Sequence, residues 1–296
     1  MNMCATLIRT LCACLALCGL CGVSGAHAGN LRPLEDEALS QVSGQDGLAF
    51  NLRGFAMSGP LTLTYTSPDE GNPSLWLGNF YLSRSDDVDA TFSDPYRLNI
   101  YSRLGMSDVI ELSNPLNVNG LVKWQFAADF GVNANNTSFS GGTLILQDLT
   151  FYGGGLSITT PSDPAVQGVA FGLALRVDIG NLIIRPRARD DISVANPDTV
   201  MEQLSIKGIH LSGENNTPWV IAHVTTQPGI FNAITDADGQ SYLHLGIDWN
   251  SSPNGAPKGS LLIDNVTFKS DVTGNLNLGS SRIDSIQLQY LDVKFR

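Results

Sequence analysis

Cysteine is confined to the first 21 residues of this 296-residue chain, at Cys4, Cys12, Cys14, Cys18 and Cys21. The same stretch carries a single charge, Arg9, then an apolar and small-residue run over 11–23 and a small-x-small site at Ala26-His27-Ala28. These features are typical of a signal peptide covering residues 1–28 and predict export. A chain processed after Ala28 has no thiol, so it forms no disulfide and no thiolate metal site, and its stability must come from burial and backbone pairing.

Basic residues are scarce as well. The 17 lysines and arginines less Arg9 leave 16 against 28 acidic residues, a formal charge of −12 for the processed chain. Nucleic acids require clustered basic charge, and anionic lipid surfaces attract polybasic segments. The composition therefore predicts no nucleic-acid partner and no binding to anionic lipid; the acidic balance favours solubility.

Helical patterning is limited to one segment, residues 29–47. Pro33 suits a first helical turn, the acidic run 35–37 suits the positive end of a helix dipole, and Gly44 suits its end. One apolar stripe is formed by Leu31, Leu34, Ala38, Leu39 and Val42. We expect a short helix here that caps the open end of the following domain and covers strand edges.

Catalytic and nucleotide-binding motifs are missing. The sequence has no G-x-S-x-G, no P-loop and no G-x-G-x-x-G opening a helix. Paired carboxylates for glycoside cleavage are an open alternative, since their separation is invisible in a sequence. We predict a protein that is not an enzyme, with no catalytic, cofactor-binding or metal-binding residue, no cofactor and no nucleotide.

Histidine is rare, and after His27 only His210, His223 and His244 remain. Each lies in a separate β-like run, so a shared metal site would need three distant strands to converge. We interpret them as surface or hydrogen-bonded residues.

The loop Asp236-Ala237-Asp238-Gly239 is the most calcium-like stretch, because closely spaced carboxylates precede a turn glycine. It has no acidic residue at the distal ligand position, and a polar turn is the favoured interpretation; whether Asp236 and Asp238 bind calcium stays open. The charged runs at 86–89 and 189–191 are interpreted as solvated charge.

Four tryptophans are the remaining binding candidates: Trp76, Trp124, Trp219 and Trp249. They could line a sugar-binding face, although a single tryptophan in a β run is more often a core anchor. A surface glycan is therefore an alternative partner.

A recurring frame, apolar-x-apolar-x-x-apolar-x-apolar, organises the rest of the chain at a loose period of roughly 25 to 35 residues. Its seven copies span 50–57, 75–82, 144–151, 177–184, 204–211, 261–268 and 286–293. Alternate side chains of a strand point to opposite faces, so the two-residue spacer shifts the phase and requires a bulge, bend or reversal if both pairs face one way. All spacers except Gln289-Tyr290 supply a Gly, Asn or Asp, the residue types that reach positive φ most easily.

The fold class that follows is all-β: a repetitive, mostly antiparallel sheet stack, solenoid- or sandwich-like, with one short N-terminal helix. We predict a signal peptide at 1–28, a helical cap segment at 29–47 and one β-repeat domain at 48–296. Each repeat is expected to bury its face on the next as a layer.

The run from Leu34 to Gly47, directly after a signal peptide and before β repeats, resembles the N-terminal segment of an uncharacterised family of exported bacterial proteins. Some members of that family are named as pilus-system proteins of the FilA type. The resemblance covers about 15 residues, implies an envelope or surface role, and carries no catalytic residues.

The function predicted is that of a non-catalytic, exported structural or adhesive protein of the bacterial envelope, in the periplasm, outer membrane or at the cell surface. Its partners would be envelope proteins or other copies of itself. One alternative is an outer-membrane barrel, suggested by the alternating apolar residues of Leu291 to Phe295 at the end of the chain. The phase shifts within the frames count against a constant lipid-facing stripe. The other alternative is a secreted carbohydrate-binding or polysaccharide-active protein.

Overall fold

The computed structural model describes residues 47–67, 72–85, 94–102, 108–189, 202–249 and 254–295. All of them belong to one unit, Gly44–Arg296. The predicted signal peptide, residues 29–46 of the predicted cap segment, and the charged runs at 86–89 and 190–191 lie outside the described residues.

Among the described residues, fifteen strands account for 70% and helix for 1%. The strands are β1 (Leu48–Phe50), β2 (Ala56–Thr66), β3 (Ser74–Arg84), β4 (Tyr96–Tyr101), β5 (Val109–Ser113), β6 (Lys123–Ala134), β7 (Thr137–Thr159), β8 (Val169–Arg185), β9 (Gln203–Gly213), β10 (Trp219–Ala222), β11 (Gly229–Thr235), β12 (Ser241–Asp248), β13 (Gly259–Ser270), β14 (Gly274–Ile286) and β15 (Tyr290–Phe295). In the described ranges the helical element is a single 3-10 turn, Glu214–Asn216. The predicted all-β, repetitive, antiparallel fold is confirmed; the predicted N-terminal helix has no support.

Two long strands, β7 and β8, connect the two parts of the sheet. They pair with each other antiparallel from Thr143 to Thr159 of β7, and each passes from one group of strands to another. The first arm has the order β2-β3-β6-β7-β8-β9-β13-β14, and the second has the order β1-β4-β5-β7-β8-β11-β12-β15, with β10 also paired to β8. Every pairing is antiparallel, and the sheet is not closed.

Four of the seven frame copies are neighbours in the first arm, on β7, β8, β9 and β13. Their apolar residues pair in register in four rows: Leu144, Ile184, Leu204 and Phe268; Leu146, Leu182, Ile206 and Val266; Leu149, Ile179, Ile209 and Ile263; and Phe151, Val177, Leu211 and Leu261. The copies therefore meet edge to edge as hydrogen-bonded neighbours within one sheet, where the sequence had suggested layers packed face to face.

The spacers of these four copies also line up across the sheet. On each of the four strands, one spacer residue has no cross-strand partner and lies between paired positions: Asp148, Gly180, Gly208 and Asp264. Asp148 and Gly208 have φ values of 54° and 61°, in the left-handed region that the spacer composition predicted. A Cβ on Gly208 would lie 2.1 Å from the Asp264 carboxylate, so glycine also allows the close approach of β9 to β13.

The other three copies differ. The copy at 75–82 lies in β3 and bends at Asn79, whose φ is 51°; the register against β2 and β6 shifts there. The copies at 50–57 and 286–293 each run across the gap between two strands, from β1 to β2 and from β14 to β15. Those two matches to the frame are not single bent strands.

Apolar packing is divided between the arms. In the second arm, Ala222, Ile247, Trp249 and Ala256 form a buried cluster, and the indole N–H of Trp249 donates to the Ile221 carbonyl at 2.8 Å. In the first arm the buried cluster is smaller: Ala127, Ile145 and Ile183, with Tyr81 packed against it.

Aromatic side chains join β1 and β4 of the second arm to β6 of the first. Phe50 stacks on Tyr96 with ring centroids 5.5 Å apart, and the Trp124 indole N–H donates to the Tyr96 hydroxyl at 2.8 Å. Phe55 meets Trp124 edge-on at 5.8 Å, and the Arg84 guanidinium lies over the indole ring at 5.6 Å. Trp124 is only 8% exposed, so its N–H depends on this acceptor.

Replacing Tyr96 with phenylalanine should lower the free energy of unfolding by about 1 kcal/mol, because the buried Trp124 N–H loses an acceptor while the ring stacking is kept. Urea unfolding followed by tryptophan fluorescence measures the change. Tyr65→Phe is the matched control, since Tyr65 is 68% exposed and its replacement should leave the midpoint unchanged. Equal midpoints for both variants would contradict a structural role for this contact.

Candidate interaction surface

The four apolar rows formed by the frame copies on β7, β8, β9 and β13 lie on one face of the sheet. The side chains before and after each bend point to the same side, so the bend does not move the row to the other face. We call these sixteen apolar residues of β7, β8, β9 and β13 the apolar face. The opposite face carries mostly polar residues, such as Thr143, Asn181 and Ser205, around the buried pair Ile145 and Ile183.

The two faces of the first arm differ in burial. Of the sixteen residues of the apolar face, fourteen are half-buried and two, Ile184 and Phe268, are 37% and 45% exposed. On the opposite face, Thr143 is fully buried together with the core residues Ile145 and Ile183, and Gln203 and Ser205 are 2% exposed. Apolar area is normally removed from water on folding, so a partly accessible apolar face is the feature of this arm from which a candidate interaction surface is argued.

The apolar face continues onto the strands before β7. Leu63 pairs with Leu77, and Tyr65 pairs with Leu75; Leu75 in turn pairs with Val132 of β6. Leu63, Tyr65 and Leu75 are 57%, 68% and 47% exposed. The accessible apolar surface therefore extends to the β2 edge.

The size of this surface suits a protein interface. Eight strands about 4.8 Å apart and a frame of about eight residues at about 3.3 Å each give a face on the order of 1,000 Å². A typical specific interface buries about 800 Å² on each partner.

A buried ion pair stabilises the opposite face. The Asp129 carboxylate accepts from Thr143 Oγ1 at 2.5 Å, from Asn79 Nδ2 at 2.8 Å, and from the backbone N–H and Nε of Arg189, both at 3.2 Å. Arg189 also donates to the Asn79 carbonyl. Burial by itself raises the pKa of Asp129, but these hydrogen bonds and the Arg189 charge outweigh it and hold the pKa below its usual value. The pair ties β3, β6 and β7 to the segment after β8.

Two of the predicted histidines lie in strands and face carboxylates. His210 Nδ1 lies 3.0 Å from Asp178 and its Nε2 lies 3.7 Å from Asp264, linking β8, β9 and β13. His244 Nε2 lies 3.0 Å from Asp292, linking β12 and β15. Each histidine engages side chains on neighbouring strands.

His223 has a different role. Its Nδ1 accepts the backbone N–H groups of Thr225 and Thr226, at 3.3 and 3.2 Å, and so closes a tight turn. The three histidines are not brought together. Across the described ranges, no group of three or more His, Cys, Asp or Glu residues is placed to hold a metal.

The calcium-like loop is a polar turn that uses its first carboxylate internally. Asp236 Oδ1 accepts the backbone N–H groups of Asp238 at 3.0 Å and Gln240 at 2.8 Å. The hairpin from β11 to β12 turns here, with Gly239 at a φ of 78°.

Three of the four tryptophans are core anchors. Trp124, Trp219 and Trp249 are 6–8% exposed, and the Trp219 indole N–H donates to the Pro257 carbonyl at 2.9 Å. Trp76 packs on Gly131, where an added Cβ would lie 2.4 Å from its ring. The tryptophans therefore do not form the aromatic platform on which a sugar-binding face would depend.

A groove of about 370 Å³ with a mixed polar and apolar lining lies on the second arm, over β4, β5, β7 and β8. At its wall, the Glu111 carboxylate accepts from the Tyr101 hydroxyl at 2.8 Å and from Ser113 Oγ at 2.7 Å. Arg97, His223 and the three glycines at 153–155 also line it. Sequence reasoning missed this groove, because strands distant in sequence assemble it and no local motif marks it.

The fold and these surfaces define a class: an antiparallel, single-sheet β protein whose principal feature is an accessible apolar face. No protein-family model matches the chain, and no curated protein or solved structure matches it significantly. Among the described residues, no helix has the length and apolarity needed to cross a lipid bilayer.

Proposed function

We propose that this protein is a non-catalytic structural or adhesive component of the bacterial cell envelope, and that it binds protein partners through the apolar face. The observation that carries the proposal is the burial pattern of the first arm, in which sixteen apolar residues of one face stay partly accessible while the buried side chains, such as Thr143, Ile145 and Ser205, lie on the opposite face. Covering such a face removes apolar area from water, which is the main favourable term in protein association.

Export and an envelope location are supported by the sequence. Residues 1–28 have the composition of a signal peptide, and the run 34–47 resembles the N-terminal segment of an exported family with pilus-system members. A role without catalysis is supported by how the best-placed ionisable side chains are used: Asp129, His210 and His244 each hold neighbouring strands together.

The proposal is tested by placing charge on the apolar face. The double variant Ile184→Lys, Phe268→Lys puts two ammonium groups into one row of the face, at positions already partly exposed, so the fold should survive. In an exporting bacterial host, we expect at least a fivefold fall in the amount of chain that stays with the envelope fraction after a high-salt wash.

The matched control is Val118→Lys, Val272→Lys, which adds the same charge at residues that are 84% and 85% exposed and away from the face. This variant should stay with the envelope as the wild type does. A wild-type chain recovered entirely in the soluble fraction, or equal loss from both double variants, contradicts the proposal.

The groove over β4, β5, β7 and β8 supports a second candidate, the binding of a surface glycan. Glu111, Arg97 and Tyr101 offer an acceptor, a donor and an aromatic ring around one shallow site, a combination suited to sugar hydroxyls and ring faces. A glycan array with the purified chain tests this candidate, and no bound glycan counts against it.

A further inference from the structure

We propose that copies of this protein join head to tail, with β14 of one copy pairing antiparallel with β2 of the next. The inference rests on the proposed function and deepens it, because it names a second copy as one of the partners. It is carried by the composition, direction and register of the two free edges of the first arm.

The β2 edge has little of the protection that edge strands usually carry. Its 11 residues, Ala56–Thr66, include no charged side chain, and almost all are exposed. In the described structure β2 pairs with β3 alone. Natural sheets guard such edges with charges, proline or short strands, and here only Pro60 has that effect. An exposed, uncharged strand with Met57, Leu61, Leu63 and Tyr65 is suited to accept another strand.

The opposite edge of the arm, β14, is of matching length. It has 13 residues, Gly274–Ile286, nearly all exposed, and in the described structure it pairs with β13 alone. Its exposed apolar residues include Leu276 and Ile283, at 56% and 49%. Its two charges, Arg282 and Asp284, form an ion pair with each other.

Strand direction makes the two edges compatible. The first arm has eight strands in which each runs opposite to its neighbour, so β2 and β14 run in opposite directions. A second copy in the same orientation therefore places its β2 antiparallel to β14. The apolar faces of the two copies then lie on the same side and form one continuous surface.

The register between β2 and β14 is set by pairing residues that lie on the same face of the sheet. Leu63 and Met57 share the apolar face with Leu77 and Leu82, and Leu276 and Ile283 share it with Phe268 and Leu261. Setting Leu63 opposite Leu276 and Met57 opposite Ile283 requires a one-residue shift between them. The required shift falls where both strands are already irregular, between Gly59 and Thr62 in β2 and around Gly279 in β14.

The same register matches the polar face. Thr64 comes to lie opposite Asn275, and Thr62 opposite Asn277, pairs that can hydrogen-bond across strands. Ser58 comes to lie opposite Arg282 and Ala56 opposite Asp284, so neither charge meets a large apolar residue. Because β2 is uncharged and Arg282 and Asp284 balance each other, the contact adds no local repulsion in a strongly acidic chain. Joining two different edges is a heterologous contact, which forms a ring where the rotation between copies closes and an open filament where it does not.

Site-directed cross-linking tests this register. The cysteines of the sequence lie at 4–21, so a processed chain has no thiol of its own; in a chain that keeps its leader they are replaced by serine. We expect the double variant Thr64→Cys, Asn275→Cys, treated with a short bis-maleimide, to give a ladder of covalent multimers. Mixing the two single variants should give dimers only, because each chain then has one reactive edge.

An out-of-register control uses Thr64→Cys with Asp284→Cys. In the proposed pairing these positions lie about nine residues apart, or roughly 30 Å, and should give at least tenfold less product. Equal yields of cross-linked product from the two pairs overturn the inference. So does the absence of a ladder from the in-register pair when the protein is at the concentration it has in the cell envelope.

An edge variant and a face variant separate the two modes of association. Leu63→Lys places a charge on the β2 edge, whereas Leu77→Lys places the same charge on the adjacent residue of the interior strand β3. Sedimentation velocity should show at least tenfold weaker self-association for Leu63→Lys and wild-type association for Leu77→Lys. Equal loss from both overturns the edge contact in favour of face-to-face packing.

The two proposals fail differently. Envelope retention without any cross-linked ladder removes the head-to-tail contact and leaves the proposed function standing. A ladder formed by a chain that never stays with the envelope removes the envelope role and leaves the contact standing.

Discussion

Replacing Asp129 with alanine should destabilise the protein by about 3–5 kcal/mol, the usual cost of breaking a buried ion pair by removing one partner. The side chains of Asp129 and Arg189 are 1% and 0% exposed. Without the carboxylate, the Arg189 guanidinium is left buried with no opposite charge, and Thr143 and Asn79 lose their shared acceptor. Urea unfolding at neutral pH measures the loss.

The matched control for this variant is Asp284→Ala. Asp284 also pairs with an arginine, Arg282, but both side chains are 69% exposed. Solvent already screens that pair, so its removal should leave the unfolding midpoint unchanged. Similar midpoints for the Asp129 and Asp284 variants would show that the buried pair adds no more stability than a surface one.

The pH dependence has a definite sign. The folded-state pKa of Asp129 is lowered, since hydrogen bonds and the Arg189 charge outweigh burial, which acts in the opposite direction. The stabilisation is therefore complete above the unfolded-state pKa, near 3.9, and is lost as the pH falls through the lower folded-state value. The difference in unfolding free energy between the wild type and Asp129→Asn should be largest at neutral pH and shrink between pH 4 and 2.

This ion pair also shows where sequence reasoning reached its limit. Asp129 and Arg189 are 60 positions apart, and neither belongs to a recognisable motif. The interpretation of the run 189–191 as solvated charge was wrong for Arg189, which is buried. The two residues meet because the register of β6, β7 and β8 places them together, and register depends on the whole sheet.

The frame itself was predictable because it depends on local geometry. Period-two alternation and a turn-forming spacer are properties of short segments, and four copies with Asp148, Gly180, Gly208 or Asp264 at the bend lie in register. Which face would be buried was not predictable from the same pattern. Alternation shows that two faces differ in polarity, but burial depends on which elements cover each face.

The division into two arms was also beyond local reasoning. It depends on β7 continuing through Gly153, Gly154 and Gly155, all with positive φ, where the register against β8 shifts. A run of three glycines predicts a turn or loop from sequence. In the structure it lets one strand pass from the first arm to the second while staying paired with β8.

Alanine at Gly154 should accordingly be one of the most damaging small substitutions in the chain. Gly154 has a φ of 70°, and an added Cβ would lie 2.3 Å from the Ala174 carbonyl oxygen of β8. Backbone cannot rotate away as a side chain can, so the two long strands must separate where the arms join. We expect a loss of more than about 3 kcal/mol in unfolding free energy, from left-handed strain together with lost strand pairing.

Alanine at the adjacent Gly153 separates the effect of backbone strain from the effect of a steric clash with β8. Its φ of 65° is nearly the same, but an added Cβ meets nothing closer than a Leu116 side-chain carbon at 3.4 Å. Gly153→Ala should cost about 1–2 kcal/mol, the penalty of left-handed backbone alone. Urea unfolding of the two variants compares them directly. Equal losses of unfolding free energy would mean that the β8 backbone moves away at Ala174 at no energetic cost. The junction of β7 with β8 would then be too flexible to fix the register of the apolar face.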